Sequence, residues 1–274
     1  MKKGICLGCI PRTDLKEAFE LAKEAGFDGV EIGIGETGSI TFDTTEEEAL
    51  AIKKLADEVG IEFYSLFGGA GWTCPITSDD PEIREKAKRG IAKQLEVAAW
   101  LGCDTILVVP GYVGVQFNPA APVVQYDIAY NRALEAIKEL APIAEEKKVN
   151  IGIENVWNYF LLSPLEMKEF IEKVNSPYVG AYFDIGNIRA YGYPEHWIRI
   201  LGDKIKKMHI KDYSRAHNDF VELMTGDVNF KEVMAACKEI GYDGWITAEV
   251  RGYAQYPDEM LYSISRKMSK IFEG

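Results

Sequence analysis

Long hydrophobic runs, a balanced set of cysteines and basic tracts are all missing from this sequence. Apolar stretches such as Thr105 to Pro110 fall far short of the roughly 20 residues that a membrane helix needs, so no membrane partner is expected. The opening Met1-Lys2-Lys3-Gly4 carries no apolar signal-peptide core or small-residue cleavage site, and the expectation is a cytoplasmic chain. Five cysteines, at 6, 9, 74, 103 and 237, are odd in number and scattered, which excludes a disulfide framework. Cys6 and Cys9 form a CxxC, but inside an apolar run that reads as a strand, residues three apart point to opposite faces. Both therefore read as small buried hydrophobes. Basic residues are the minority, 31 against 43 acidic, for a net charge of −12. With no local basic run to offset it, that charge repels a phosphodiester backbone and argues against nucleic acid as a partner. No GxGxxG follows the first apolar run and no GxxxxGK[ST] occurs, so an open nucleotide-binding sheet lacks its fingerprint.

What is present is 47% hydrophobic content in a regular order, enough to exclude disorder. Short apolar runs alternate with longer amphipathic stretches. The runs are Ile5 to Ile10, Gly29 to Ile34, Ile61 to Phe67, Thr105 to Pro110, Asn150 to Asn155, Val179 to Asp184, Ile205 to Ile210 and Trp245 to Val250. Helical periodicity fills the intervals, from Asp14 to Ala25 through Pro257 to Phe272. Ala25-Gly26, Val59-Gly60, Leu101-Gly102 and Ile240-Gly241 each place a glycine where a helix must stop and a strand begin. Thr44 or Thr45, Asp79 or Asp80, and Ser163-Pro164 supply helix N-caps. Dividing 274 residues by eight gives units of about 34, and Gly26-Phe27-Asp28-Gly29 is nearly copied at Gly241-Tyr242-Asp243-Gly244. The pattern predicts an α/β fold, one (β/α)8 TIM barrel domain over residues 1–274. Apolar helix faces are compatible with a homo-oligomer, and no segment marks an interface.

In such a barrel the chemistry gathers at the C-terminal ends of the strands. Four strand ends carry residues that a plain core would not tolerate: Glu154, Asp184, His209 and Glu249, on the fifth to eighth runs. Three carboxylates and an imidazole converging on one mouth would repel and be expensive to desolvate without a cation among them. The expected cofactor is one divalent metal ion, Mn²⁺, Mg²⁺, Co²⁺ or Zn²⁺, since no cysteine joins the set.

The segments Ile153-Glu154-Asn155, Phe183-Asp184-Ile185-Gly186-Asn187, His209-Ile210-Lys211-Asp212 and Ala248-Glu249 resemble the xylose-isomerase-like barrel superfamily. Within it they resemble the sugar (phosphate) isomerase/epimerase group, which includes ketose 3-epimerases and L-xylulose 5-phosphate 3-epimerase. The resemblance covers essentially the whole chain. It implies that Glu154, Asp184, His209 and Glu249 ligate one metal, that Glu154 and Glu249 double as acid and base, and that Arg215 contacts substrate. Asn187 stands where free-ketose 3-epimerases tend to carry His. Phe160 stands where some free-sugar epimerases have a second glutamate. No Lys/Arg cluster near the last two strand loops announces a phosphate pocket.

Two carboxylates flanking a ketose suit epimerisation, one removing a carbon-bound proton and the other returning one to the opposite face. The small-molecule partner expected is thus a sugar or sugar phosphate. Glu31, at the end of the second run, faces the same rim as a candidate for a sugar hydroxyl. Trp157, Tyr159 and Phe160, with Phe67, Trp72 and Tyr112 from other loops, are candidates to wall off the substrate. Lys211 and Asp212 are expected to support the histidine or the substrate. His196 and His217 read as surface residues, and the segment from Tyr213 to Asn229 is expected to cross the mouth. An aldose–ketose isomerase or an inosose-type dehydratase would use the same site with a different substrate pose. A multi-zinc nuclease of this superfamily would need more than three histidines. A vestigial binding barrel would lack a ligand, and none is missing.

Overall fold

Eight parallel strands close on one another in the computed structural model, which describes residues 1–274 apart from the side chains at 69 and 70. In chain order the elements are β1 (Lys2–Cys6), α1 (Leu15–Glu24), β2 (Gly29–Ile34), α2 (Glu46–Val59), β3 (Glu62–Gly68), α3 (Pro81–Leu101), β4 (Thr105–Val108), α4 (Tyr126–Lys147) and β5 (Asn150–Glu154). They continue with α5 (Pro164–Val174), β6 (Val179–Asp184), α6 (Ile185–Arg189), α7 (Pro194–Leu201), β7 (Ile205–Ile210), β8 (Asp212–Ser214), β9 (Asp219–Val221), α8 (Phe230–Glu239), β10 (Trp245–Ala248) and α9 (Pro257–Phe272). Around the ring the order is β1-β10-β7-β6-β5-β4-β3-β2, the (β/α)8 barrel that the repeat predicts. Strands β8 and β9 pair antiparallel as a separate hairpin over the mouth. Among the described residues no helix is long and apolar enough to cross a membrane.

Local chemistry sets the element boundaries. Thr45, not Thr44, starts α2 through a capping box, its hydroxyl accepting from Glu48 N–H while the Glu48 carboxylate accepts from Thr45 N–H at 2.8 Å. Asp80 accepts from Glu82 N–H at 2.8 Å and Ser163 from Glu166 N–H at 3.2 Å, each ahead of a proline in the first turn. Gly60 and Gly102 end their helices at φ of 77° and 80°, the left-handed conformation that lacks a Cβ penalty only in glycine. Lys148 and Asn175 do the same at 56° and 60°, so these two helix ends carry no glycine signal.

The first strand is a correction. It runs over Lys2–Cys6 rather than Ile5 to Ile10, and Leu7–Cys9 turns as a short 3₁₀ helix. The strand begins with charged residues because its N-terminal end lies on the outer rim, where Lys2 reaches Glu62 and lies 4.8 Å from the Trp245 ring. The turn also revises the CxxC, since Cys6 and Cys9 line one cavity instead of pointing to opposite faces.

Large rings fill the barrel interior, and small residues face them. Tyr64 is buried, bonds Thr247 Oγ1 at 2.7 Å and occupies the space beside Gly4, where a Cβ would sit 1.9 Å from its hydroxyl oxygen. Replacement of Gly4 by alanine is expected to displace the ring and destabilise the fold by about 1–3 kcal/mol, read as a lower urea midpoint. An unchanged midpoint would contradict this account of the interior.

Candidate active site

Strands β5, β6, β7 and β10 are neighbours in the ring, and each delivers one polar residue to the same end. Asp184 on β6 is in register with His209 on β7, Glu154 closes β5, and Glu249 follows β10. One ligand atom from each of the four lies within 4.8 Å of those from the others. His209 Nδ1 is 3.4 Å from Glu249 Oε2, 3.6 Å from Glu154 Oε1 and 3.8 Å from Asp184 Oδ2. The other ring nitrogen, Nε2, is 2.9 Å from Glu31 Oε2. A Glu31 carboxylate accepting from Nε2–H directs the Nδ1 lone pair at the three carboxylates.

The chemistry of these atoms fits a divalent ion. Asp184 Oδ2 and His209 Nδ1 are, among the described residues, the buried side-chain atoms without a hydrogen-bond partner. Leaving such atoms unsatisfied costs about 1–3 kcal/mol each or more, and a cation between them removes that cost. Carboxylate oxygens with one imidazole form a hard-to-borderline donor set suited to Mn²⁺, Mg²⁺, Co²⁺ or Zn²⁺. The electrostatics carry the same strain. Burial pushes the Glu154 carboxyl up to about 7, with the charges of Glu249 and Asp184 adding to it. Asp184 is raised by burial as well. For Glu249 burial also opposes ionisation, but the Lys211 ammonium and His209 outweigh it and hold the carboxyl well below the usual range. His209 is pushed the other way: burial disfavours its charge, yet Glu31, Glu154 and Glu249 raise it above an ordinary imidazole.

Of the four residues assigned to substrate, none lines the cavity beside the cluster, and Trp157 reaches its wall only through Phe220. It is half-buried, donates Nε1–H to Asn187 O at 3.0 Å, and stacks on Phe220 of β9 at 4.9 Å. Glu31 is a correction: it is fully buried, with Oε1 accepting from Ser65 Oγ at 2.8 Å and Tyr182 Oη at 2.5 Å while Oε2 holds His209. It lies beneath the histidine and presents nothing to a sugar. Asn187 is likewise buried and serves Asp184. Its N–H donates to Asp184 Oδ1 at 2.7 Å and its Nδ2 to Asn155 O at 2.9 Å, while Asn155 brackets Asp184 from both sides of the backbone. Arg215 is exposed, its guanidinium 5.8 Å from the Tyr193 ring and its N–H on Asp227, outside the cluster. Phe160 packs into the core against Tyr126, Tyr130 and Phe170 instead of walling the mouth. His196 and His217 are exposed, as expected.

A cavity of about 570 Å³ opens beside the cluster, lined by Cys6, Cys9, Lys211, Phe220, Glu249 and Tyr253 among others. Phe220 and Val221 of β9, with Glu222, form part of its wall, so the connection expected to cross the mouth borders this cavity. A larger hollow of about 780 Å³ lies between α3 and the ends of β3 and β4, and none of the four clustered residues lines it. Pattern reasoning missed Tyr182, Ser65 and Asn155. Tyr182 carried a signal, being two residues before Asp184 and therefore on the same inward face.

A sequence model of the xylose isomerase-like TIM barrel family matches residues 19–270. The chain belongs to this family. Protein MJ1311 of Methanocaldococcus jannaschii is 28% identical over 178 residues, 63% of this chain and 59% of its own length. L-ribulose-5-phosphate 3-epimerase UlaE of Salmonella paratyphi C is 27% identical over 83% of this chain and 79% of its own. L-ribulose 3-epimerase of a Methylomonas strain is 28% identical over 85% and 77%. Among solved structures, D-psicose 3-epimerase with D-tagatose from Clostridium cellulolyticum H10 superposes with a TM-score of 0.81 over 99% of this chain and 98% of its own. At 20% identity that likeness shows the fold, a closed (β/α)8 barrel.

Proposed function

We propose that this chain is a divalent-metal-dependent ketose 3-epimerase. The observation that carries the reading is the arc of four ligand-type residues with a glutamate at each end. Glu154 stands on β5 and Glu249 after β10, with Asp184 and His209 on the two strands between. A carboxylate at one end removes the proton from C3 of the ketose, leaving an enediolate, and the carboxyl at the other end returns a proton to the opposite face. The ion, when held by Glu154, Asp184, His209 and Glu249, supplies the positive charge that lowers the energy of the negative oxygens. Asn155 and Asn187 fix Asp184, and Glu31 fixes His209. Trp157 stacks on Phe220 and so backs a ring that lines the cavity.

The relatives divide between an L-ribulose and an L-ribulose-5-phosphate epimerase, and the cavity favours the unphosphorylated ketose. Its two lining cations are both engaged, Lys211 by Asp184 and Glu249, and Arg251 by both carboxylate oxygens of Asp219 at 2.7 and 2.8 Å. A phosphate dianion would compete with Asp184, Glu249 or Asp219 for these cations.

L-ribulose, L-ribulose 5-phosphate and free ketohexoses incubated with protein and Mn²⁺ in D₂O test the reading by NMR. Deuterium at C3 with inversion there is expected, with the higher kcat/KM on a free ketose. Exchange at C1 or C2 with no inversion at C3 would make the chain an aldose–ketose isomerase and overturn it.

A further inference from the structure

Lys211 lies two residues past His209, and its Nζ sits 3.0 Å from Asp184 Oδ2 while hydrogen-bonding Glu249 Oε2. These are two of the oxygens that face the imidazole. The arrangement is built. The Lys211 stem crosses Gly186, where a Cβ would come within 2.2 Å of Lys211 Cγ, so only a glycine leaves room for the lysine to reach the carboxylates. The side chain is 12% exposed, and its ammonium lies 4.9 Å from the centre of the Phe220 ring. The match to Asp184 is nonetheless imperfect: despite the 3.0 Å approach, Oδ2 has no hydrogen bond of proper geometry. Four carboxyl groups, of Glu31, Glu154, Asp184 and Glu249, crowd around one imidazole here, and the Lys211 ammonium is, among the described residues, the lysine or arginine charge that reaches them.

We propose that Lys211 is a positioning residue for the metal centre, a resident cation that holds Asp184 and Glu249 together and competes with the divalent ion for them. The inference rests on the metal reading of the site. An ammonium that shares ligand oxygens with an ion repels it across a few ångströms of low dielectric, so affinity is set lower than the four ligands alone would give. The gain is a site whose carboxylates stay assembled before the ion arrives, because a buried carboxylate deprived of its counter-charge is strongly destabilising.

The opposing signs make the test decisive. Lys211→Met, of similar length and without charge, is expected to bind Mn²⁺ about ten-fold more tightly than the wild type or better in calorimetric titration. Without the ion it should melt lower, by about 2–4 °C or more, and regain that loss when Mn²⁺ is added. Lys211→Arg keeps the charge and should stay near the wild type. Lys211→Gln serves the same comparison if the methionine variant does not fold. Equal or weaker Mn²⁺ binding by the neutral variants overturns the proposal while the metal reading stands. Absence of Mn²⁺ binding in the wild type and all variants overturns both.

Discussion

Glu249→Gln is expected to abolish C3 inversion in both directions, with turnover down about 10²-fold or more, equivalent to roughly 2.7 kcal/mol of barrier. The fold and the ion should survive, because a glutamine keeps the shape and still offers an amide oxygen to a cation. The same holds for Glu154→Gln. The two variants are distinguishable by proton exchange. If Glu249 takes the proton from one epimer, Glu154 takes it from the other, since the reverse reaction runs through the same enediolate. With Glu249 neutralised, Glu154 can still remove and return a proton on its own face. Solvent deuterium should therefore enter C3 of one epimer without inversion in Glu249→Gln, and of the opposite epimer in Glu154→Gln. Inversion at the wild-type rate in either variant, with the substitution confirmed and the ion content unchanged by elemental analysis, would rule out the two-carboxylate mechanism. Exchange of both epimers in one variant would mean that a single group reaches both faces of the substrate.

The barrel and the four clustered residues were legible because both are written in local pattern. Helix stops at Gly60 and Gly102 and caps at Thr45, Asp80 and Ser163 are set by residues within a turn of one another. Glu154, Asp184 and Glu249 were visible as carboxylates at the ends of apolar runs, a place where burial without a purpose is costly. What was hidden depends on closure of the ring. Glu31 could be seen to be out of place in its strand, yet its partner His209 lies 178 positions away and comes within reach only when β2 and β7 face each other across the barrel. Lys211 read as support for a neighbour, because nothing in the order of residues shows that Gly186 leaves its stem a path to Asp184. The three-residue strands β8 and β9 are too short to show alternation, and Asp212 stabilises that loop by accepting from Tyr213, Gly226 and Val228 N–H groups.

Glu31→Gln is expected to weaken Mn²⁺ binding by about 10- to 100-fold although the residue touches neither ion nor sugar. The argument runs through one proton. His209 can offer Nδ1 to a cation only if its proton rests on Nε2, and the carboxylate 2.9 Å from Nε2 holds it there. A glutamine oxygen can accept the same hydrogen bond, but without the charge that makes the imidazole a stronger donor to a metal. Its amide nitrogen would also face Ser65 Oγ and Tyr182 Oη, which now donate to Glu31 Oε1. The loss should appear as a higher Mn²⁺ concentration for half-maximal rate, with turnover near that of the wild type once the ion saturates. His209→Ala, by contrast, removes a ligand, and saturating Mn²⁺ should not restore it. If Glu31→Gln bound Mn²⁺ as the wild type does, the negative charge of Glu31 would add nothing to the imidazole's hold on the ion, and a neutral acceptor with packing against the Tyr182 ring, whose centre lies 4.8 Å from its own, would be enough to orient it. The charge of the buried glutamate would then serve the Tyr182 and Ser65 hydroxyls rather than the metal centre.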